Sequence, residues 1–176
     1  MCKIVIVGNA NSGKTTLGKQ LHKDLAIPFF ELDNVLKHLH TSTFPTRQQI
    51  RQQKRELNKI MNKDNWIIEG WGASQTYEDR FNHAKIIIFL DIPSPVRLKR
   101  WHKRLEQNKS ENISLDLYQT GVEKMHRFDS HVKPMILYFI GKYKDIGDSK
   151  LILNLDENFN YEEVLNQINN FNSISE

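Results

Sequence analysis

Gly8-Asn9-Ala10-Asn11-Ser12-Gly13-Lys14-Thr15-Thr16 places two glycines five positions apart, followed by one lysine and two hydroxyls. That order of residue types suits a polyphosphate. Glycines let successive amides turn inward as an anion nest, and a helix starting beyond them aims its positive dipole end at the same point. The stretch satisfies G-x-x-x-x-G-K-[ST] in full: Lys14 would reach the β- and γ-phosphates, and Thr15 would hold Mg²⁺. A glycine-rich turn without a ligand is the bland alternative. The context argues against it, because "KIVIV" reads as a buried strand just before the loop and a helical pattern follows it.

Two carboxylates terminate apolar runs, Asp33 after "IPFFEL" and Glu69 after "NWII". Strand C-termini face the ligand in open α/β sheets. Asp33 there would accept a hydroxyl proton, bind Mg²⁺ through water, or cap the helix after it, and all three readings stand. Glu69 would order Mg²⁺ from the outer shell. Arg97, Arg100 and Arg104 share a helical face beside Leu98, Trp101 and Leu105. Arg97 is read as surface. Arg100 and Arg104 are read as nucleotide contacts, since a planar guanidinium both stacks and binds phosphate; a solvated basic stripe is the alternative. Arg47, Arg51 and Arg55 are read as a solvated face, and Trp71 as either a pocket wall or core. His126 and His131, five apart, are poorly spaced to share a metal, so no zinc site is expected.

The elements that must carry these groups follow from periodicity. Strands are expected at residues 3–7, 27–33, 65–69, 85–93 and 150–156. Helices are expected at 14–25, from Thr46 to about 62 with Gln49 completing a capping box, around 77–82, at 95–106, over 115–143 with a bend at Pro134, and at 161–171. Residues 169–176 are expected to fray. Strand–helix alternation implies a parallel sheet covered on both faces.

The chain has 176 residues, is 39% hydrophobic and 26% charged, and carries a net charge of +4. These values suit one soluble α/β domain over residues 1–176. No apolar run is long enough to span a membrane, and residues 1–7 lead into the loop as a strand and not as a signal peptide. Cys2 is the only cysteine, which rules out an internal disulfide and argues against a cysteine-based zinc site. A cytoplasmic location is expected. The guanine signature Asn-Lys-x-Asp is absent, the nearest stretch being Asn62-Lys63-Asp64-Asn65, and no Asp-x-x-Gly occurs, which argues against a GTPase.

On the P-loop, "WIIEGW", "IIIFLDIP" with its following arginines, and "LNLDENFNYEEV", the chain resembles the adenylate-kinase-like small P-loop kinases from Lys3 to about Leu165. That group includes nucleoside monophosphate kinases, shikimate-type kinases and DNA-topology modulation proteins. The resemblance implies a three-layer sandwich around a five-stranded parallel sheet of order 2-3-1-4-5, with a short mobile lid near residues 107–114. It implies ATP and Mg²⁺ as cofactors, Glu69 in the family's acidic position, Arg100 stacked on adenine and Arg104 on the ATP phosphates, with Lys124 or Arg127 on the lid's second arm. The activity implied is phosphoryl transfer to a small acceptor, with Lys14, Arg100 and Arg104 neutralising the moving group; Asp33, by its place after the second apolar run, would address the acceptor. The chain departs from the nucleoside monophosphate kinases after Gly70. Trp-Gly-Ala-Ser-Gln replaces Phe-Pro-Arg, the next arginine is Arg80, and only Lys37 follows the second strand closely. AMP is therefore not the expected acceptor. A nucleotide-dependent regulator associated with nucleic acid is the rival reading, resting on the mildly basic surface and the Arg47/Arg51/Arg55 helix.

Overall fold

The computed structural model describes residues 1–35, 46–71, 76–107, 115–145 and 150–174. Five parallel strands form one sheet in the order β2-β3-β1-β4-β5, with β1 Lys3–Gly8, β2 Phe29–Glu31, β3 Trp66–Glu69, β4 Ile86–Leu90 and β5 Leu151–Leu155. The helices are α1 Lys14–Leu25, α2 Leu32–Val35, α3 Arg47–Met61, α4 Tyr77–His83, α5 Ser94–Gln107, α6 Leu115–Arg127, α7 Lys133–Asp145 and α8 Tyr161–Ile174. Order and class are those expected from the sequence.

The period of two along each strand builds two cores. Ile4, Ile6, Ile67, Ile86, Ile88 and Leu90 pack with Leu17 and Leu21 of α1 and Val164 and Ile168 of α8. On the other face, Val5, Val7, Ile68, Ile87 and Phe89 pack with residues of α3, α4 and α7, among them Leu57, Phe81 and Ile140. Each such side chain contributes about 1.5–3 kcal/mol on leaving water, which explains why the central strands read as unbroken apolar runs. The same alternation sets Glu69 on the face of Ile67, toward α1.

Three boundaries differ from expectation. β2 stops at Glu31, where its parallel partner β3 ends at Glu69, so Asp33 sits in the first turn of α2 and not at the strand end. The expected long helix is interrupted before its proline. Phe128–Val132 is π-helical, and the amide of Lys133 donates to the carbonyl of Phe128 five residues back. Pro134 has no N–H and its ring crowds the carbonyl four residues earlier, and the helix accommodates it with a wider, π-helical turn just upstream. The C-terminal helix continues through Ile174, past the point where fraying was expected. The capping box of α3 is present in both directions, Gln49 N to Thr46 Oγ1 at 3.2 Å and Thr46 N to Gln49 Oε1 at 2.7 Å. Of the expected lid, only Gln107 falls among the described residues; Lys37 also lies outside them. No helix among the described residues is long and apolar enough to cross a membrane.

Candidate active site

The P-loop turns between the C-terminal end of β1 and the first turn of α1. Gly13, the residue before α1, has φ 101°, which an L side chain rarely adopts, and Asn11 has φ 59°, a region asparagine tolerates. Lys14 Nζ donates to the carbonyl of Asn9 at 2.8 Å, folded back across its own loop. Burial pushes the Lys14 ammonium below the usual lysine range, opposed by the negative charges of Glu69 and Asp33. A cation in this setting lacks full hydration, and an arriving anion would supply what water does not.

Thr15 Oγ1 donates to Glu69 Oε1 at 3.0 Å, which joins the two groups expected to share the metal. Glu69 is 4% exposed. Burial raises its carboxyl above the usual range, against the lowering effects of Lys14 and the Thr15 hydrogen bond. Its second oxygen is buried without a hydrogen-bond partner among the described residues. A polyphosphate with Mg²⁺ fits this arrangement: an orphaned carboxylate oxygen beside a P-loop hydroxyl is a hard-donor pair for a cation that keeps its waters. Asp33 is exposed, and its charge reaches both Lys14 and Glu69. Thr16, the last loop residue, is exposed on α1.

The arginines of α5 divide in an order the sequence reading did not have. Arg100 lies across the P-loop, Nη1 donating to the carbonyls of Ser12 at 2.9 Å and Asn11 at 3.4 Å. Arg104, one turn on, is exposed. Arg97, read as surface, is 2% exposed and pairs through Nη2 with Asp129 Oδ2 at 2.6 Å. The signal for its burial was its spacing: Arg97 is four residues before Trp101 and eight before Leu105, on the row that faces inward. On the lid's second arm, Lys124 and Arg127 are both exposed on α6.

Three further groups take structural roles that the spacing did not disclose. The Asn9 side chain is buried, donating to the carbonyl of Met125 at 2.9 Å and to Asp129 Oδ1 at 3.1 Å while accepting from the amide of Ala10 at 2.6 Å. The Trp71 ring stacks on Phe128 at 5.2 Å, and its Nε1 donates to the carbonyl of Gly8 at 3.0 Å. Trp71 thus supports the start of the P-loop. Arg80 is fully buried, lies 4.3 Å from the centre of the Tyr77 ring, and donates to the carbonyls of Gly70 at 2.8 Å and of Trp71. It fastens the turn after β3 from inside. A lone "DR" in a short helix carries no sequence signal for that role.

Comparison with known proteins agrees with the geometry. A family model described as an AAA domain matches residues 4–119. A shikimate kinase of Flavobacterium psychrophilum is 33% identical over 163 residues, covering 85% of this chain and 92% of its own. Among solved structures, a shikimate kinase from Acinetobacter baumannii in complex with shikimate superposes with a TM-score of 0.60 at 18% identity, covering 97% of this chain and 94% of that one. A gluconokinase from Sinorhizobium meliloti gives 0.52 at 13% identity, with 97% and 90% covered. At these identities the two structures speak for the fold. All three relatives are named for small acceptors, and the nucleic-acid reading gains no support from them. The chain belongs to the family of small P-loop kinases that includes shikimate kinase, and it transfers a phosphoryl group from ATP, with Mg²⁺, to a small molecule.

Proposed function

We propose that the acceptor is a hydroxyl group on a small polyhydroxylated acid of the shikimate type, held at the mouth between α2 and the P-loop. The observation that carries this reading is Asp33. It sits just beyond β2, exposed, with its charge felt at both Lys14 and Glu69. A carboxylate there orients an acceptor hydroxyl or takes its proton as transfer proceeds. The relative at 33% identity is named for shikimate and matches over nearly its whole length, which supports the same class.

The donor side is the P-loop, with Lys14, Thr15 and Glu69 meeting the phosphates and metal. Arg100 and Arg104 supply positive charge from α5. Such catalysis is positioning plus charge stabilisation, with little covalent work for the protein. AMP is a poor acceptor in this reading. An acceptor phosphate needs a cationic clamp, and the arginine after Gly70 nearest in sequence, Arg80, is committed to backbone carbonyls in the core. A missing charge-assisted contact costs about 1.5–3 kcal/mol, roughly ten- to a hundredfold in affinity.

The test is ADP release with shikimate, gluconate, AMP and no acceptor, for the wild type and Asp33→Asn. Shikimate or a related hydroxy acid is expected to stimulate turnover well above the acceptor-free rate. Asp33→Asn is expected to cut transfer far more than it weakens Mg·ADP binding. Efficient use of AMP, unaffected by Asp33→Asn, would overturn the assignment.

A further inference from the structure

We infer that Asp129 is a positioning residue for the donor site, acting on the P-loop from the π-helical segment behind it. Its two carboxylate oxygens hold two different parts of the machinery. Oδ1 accepts from Asn9 Nδ2 at 3.1 Å, and Oδ2 accepts from Arg97 Nη2 at 2.6 Å. Asn9 in turn presents its side-chain carbonyl to the amide of Ala10 and its backbone carbonyl to Lys14 Nζ. Asp129 is thus one residue, Asn9, removed from Lys14, the lysine proposed to meet the phosphates. Through the second oxygen it fixes Arg97, one turn before Arg100 on α5, and Arg100 itself lies on the carbonyls of Ser12 and Asn11.

Asp129 is the second residue of the π-helical turn, and Phe128, its first, stays in the core against Trp71. Trp71 completes the support, holding the carbonyl of Gly8 from the other side. The P-loop is therefore held at Gly8 and Asn9 by Trp71 and Asp129, which lie outside the phosphate-binding motif. Burial adds weight to the link. Arg97 is almost wholly enclosed, and its Nε and Nη1 have no hydrogen-bond partner among the described residues, so Asp129 is the one counter-charge found for it there. Neither Asp129 nor Arg97 belongs to the phosphate-binding motif.

The inference rests on the P-loop's nucleotide role, and the experiment separates the two. Replacing Asp129 alone leaves a buried, unpaired guanidinium and lowers stability for that reason. The informative pair is therefore Arg97→Met/Asp129→Asn against Arg97→Met/Asp129→Ala. Both lack the buried ion pair, and they differ in whether position 129 offers Asn9 an oxygen. The readouts are the affinity for Mg·AMP-PNP by calorimetry and the unfolding temperature, with Asn9→Ala added to each background. With stabilities matched, the alanine member should bind Mg·AMP-PNP about tenfold more weakly than the asparagine member, a coupling of ordinary size for groups in direct contact. Asn9→Ala should erase the difference. Equal affinity in the two double variants, or a difference that survives Asn9→Ala, would overturn the positioning role. A wild type that does not bind Mg·AMP-PNP would instead overturn the nucleotide role of the loop, and the inference with it.

Discussion

At the scale of single residues, Lys14 and Glu69 are opposite charges brought partly out of water beside one another. Burial pushes the Lys14 ammonium down and the Glu69 carboxyl up, so the loop holds both groups away from the state each prefers in water. Lys14→Ala removes the cation proposed to meet the phosphates but no core contact. Transfer should fall about a hundredfold or more, the loss typical of deleting one preorganised charge stabiliser, with the circular-dichroism spectrum of the folded protein retained. Glu69 gives a prediction with a sign. Its folded-state pKa lies above the ordinary value of 4.5, so the folded protein binds the proton more tightly than the unfolded chain. The favourable contribution is complete below pH 4.5 and is lost as pH rises through the raised value. Glu69→Gln removes this dependence. Without nucleotide and with the metal chelated, the stability of Glu69→Gln relative to wild type should therefore grow as pH rises from about 4 toward 7, measured by urea titration at each pH. A difference that shrinks over that range would show that the Lys14 charge and the Thr15 hydrogen bond outweigh burial.

At the scale of elements, the helices that carry the donor side are set by how closely they approach. Gly121 of α6 faces Trp101 of α5, and a Cβ there would lie 2.6 Å from the indole. Gly141, inside α7, has nothing within 4 Å of the same built atom. Both substitutions to alanine gain the same intrinsic helix propensity, about 0.5–1 kcal/mol. Gly141→Ala should show that gain as a higher unfolding midpoint. Gly121→Ala should instead be destabilised, because an overpacked contact costs about 1–3 kcal/mol. Thermal or denaturant unfolding of the two variants side by side checks the contrast, and a stabilised Gly121→Ala would mean that α5 and α6 separate easily. The same elements govern Arg100, since α5 carries it over the P-loop. Gly121→Ala should accordingly weaken nucleotide binding, whereas Gly141→Ala should leave it unchanged.

At the scale of the molecule, five parallel strands deliver their C-terminal ends to one edge, and the residues proposed for the donor and acceptor sides gather there. A ligand that binds only the folded state stabilises by mass action, about 2.7 kcal/mol at a hundred times its dissociation constant. For a domain of this size that is a rise of roughly 5–10 °C in unfolding temperature. Mg·AMP-PNP should produce it, and the guanine analogue should produce less, as differential scanning fluorimetry would read directly. Equal shifts would count against adenine as the preferred base. Much of this was legible in the chain itself. The P-loop is a local motif whose glycines, lysine and hydroxyl work through consecutive backbone atoms, so neighbours in sequence suffice to define it. The strand order came by resemblance, and the strands themselves from apolar runs of the right length. The place of Glu69 at a strand end was legible because a strand-terminal acid is a local pattern, and its bond to Thr15 followed once β3 and β1 paired in register. What the chain did not disclose depends on approach between distant segments. Arg97 reads as solvated until α6 and the π-helical turn bring Asp129 against it across 32 residues of sequence. Asn9 reads as one more loop amide until its side chain is enclosed 120 residues away from its partner. Arg80 reads only as the next arginine after Gly70 until the turn after β3 closes over it. Local chemistry is written in spacing, whereas the burial of a charge is decided only when the tertiary structure supplies the partner that makes it tolerable.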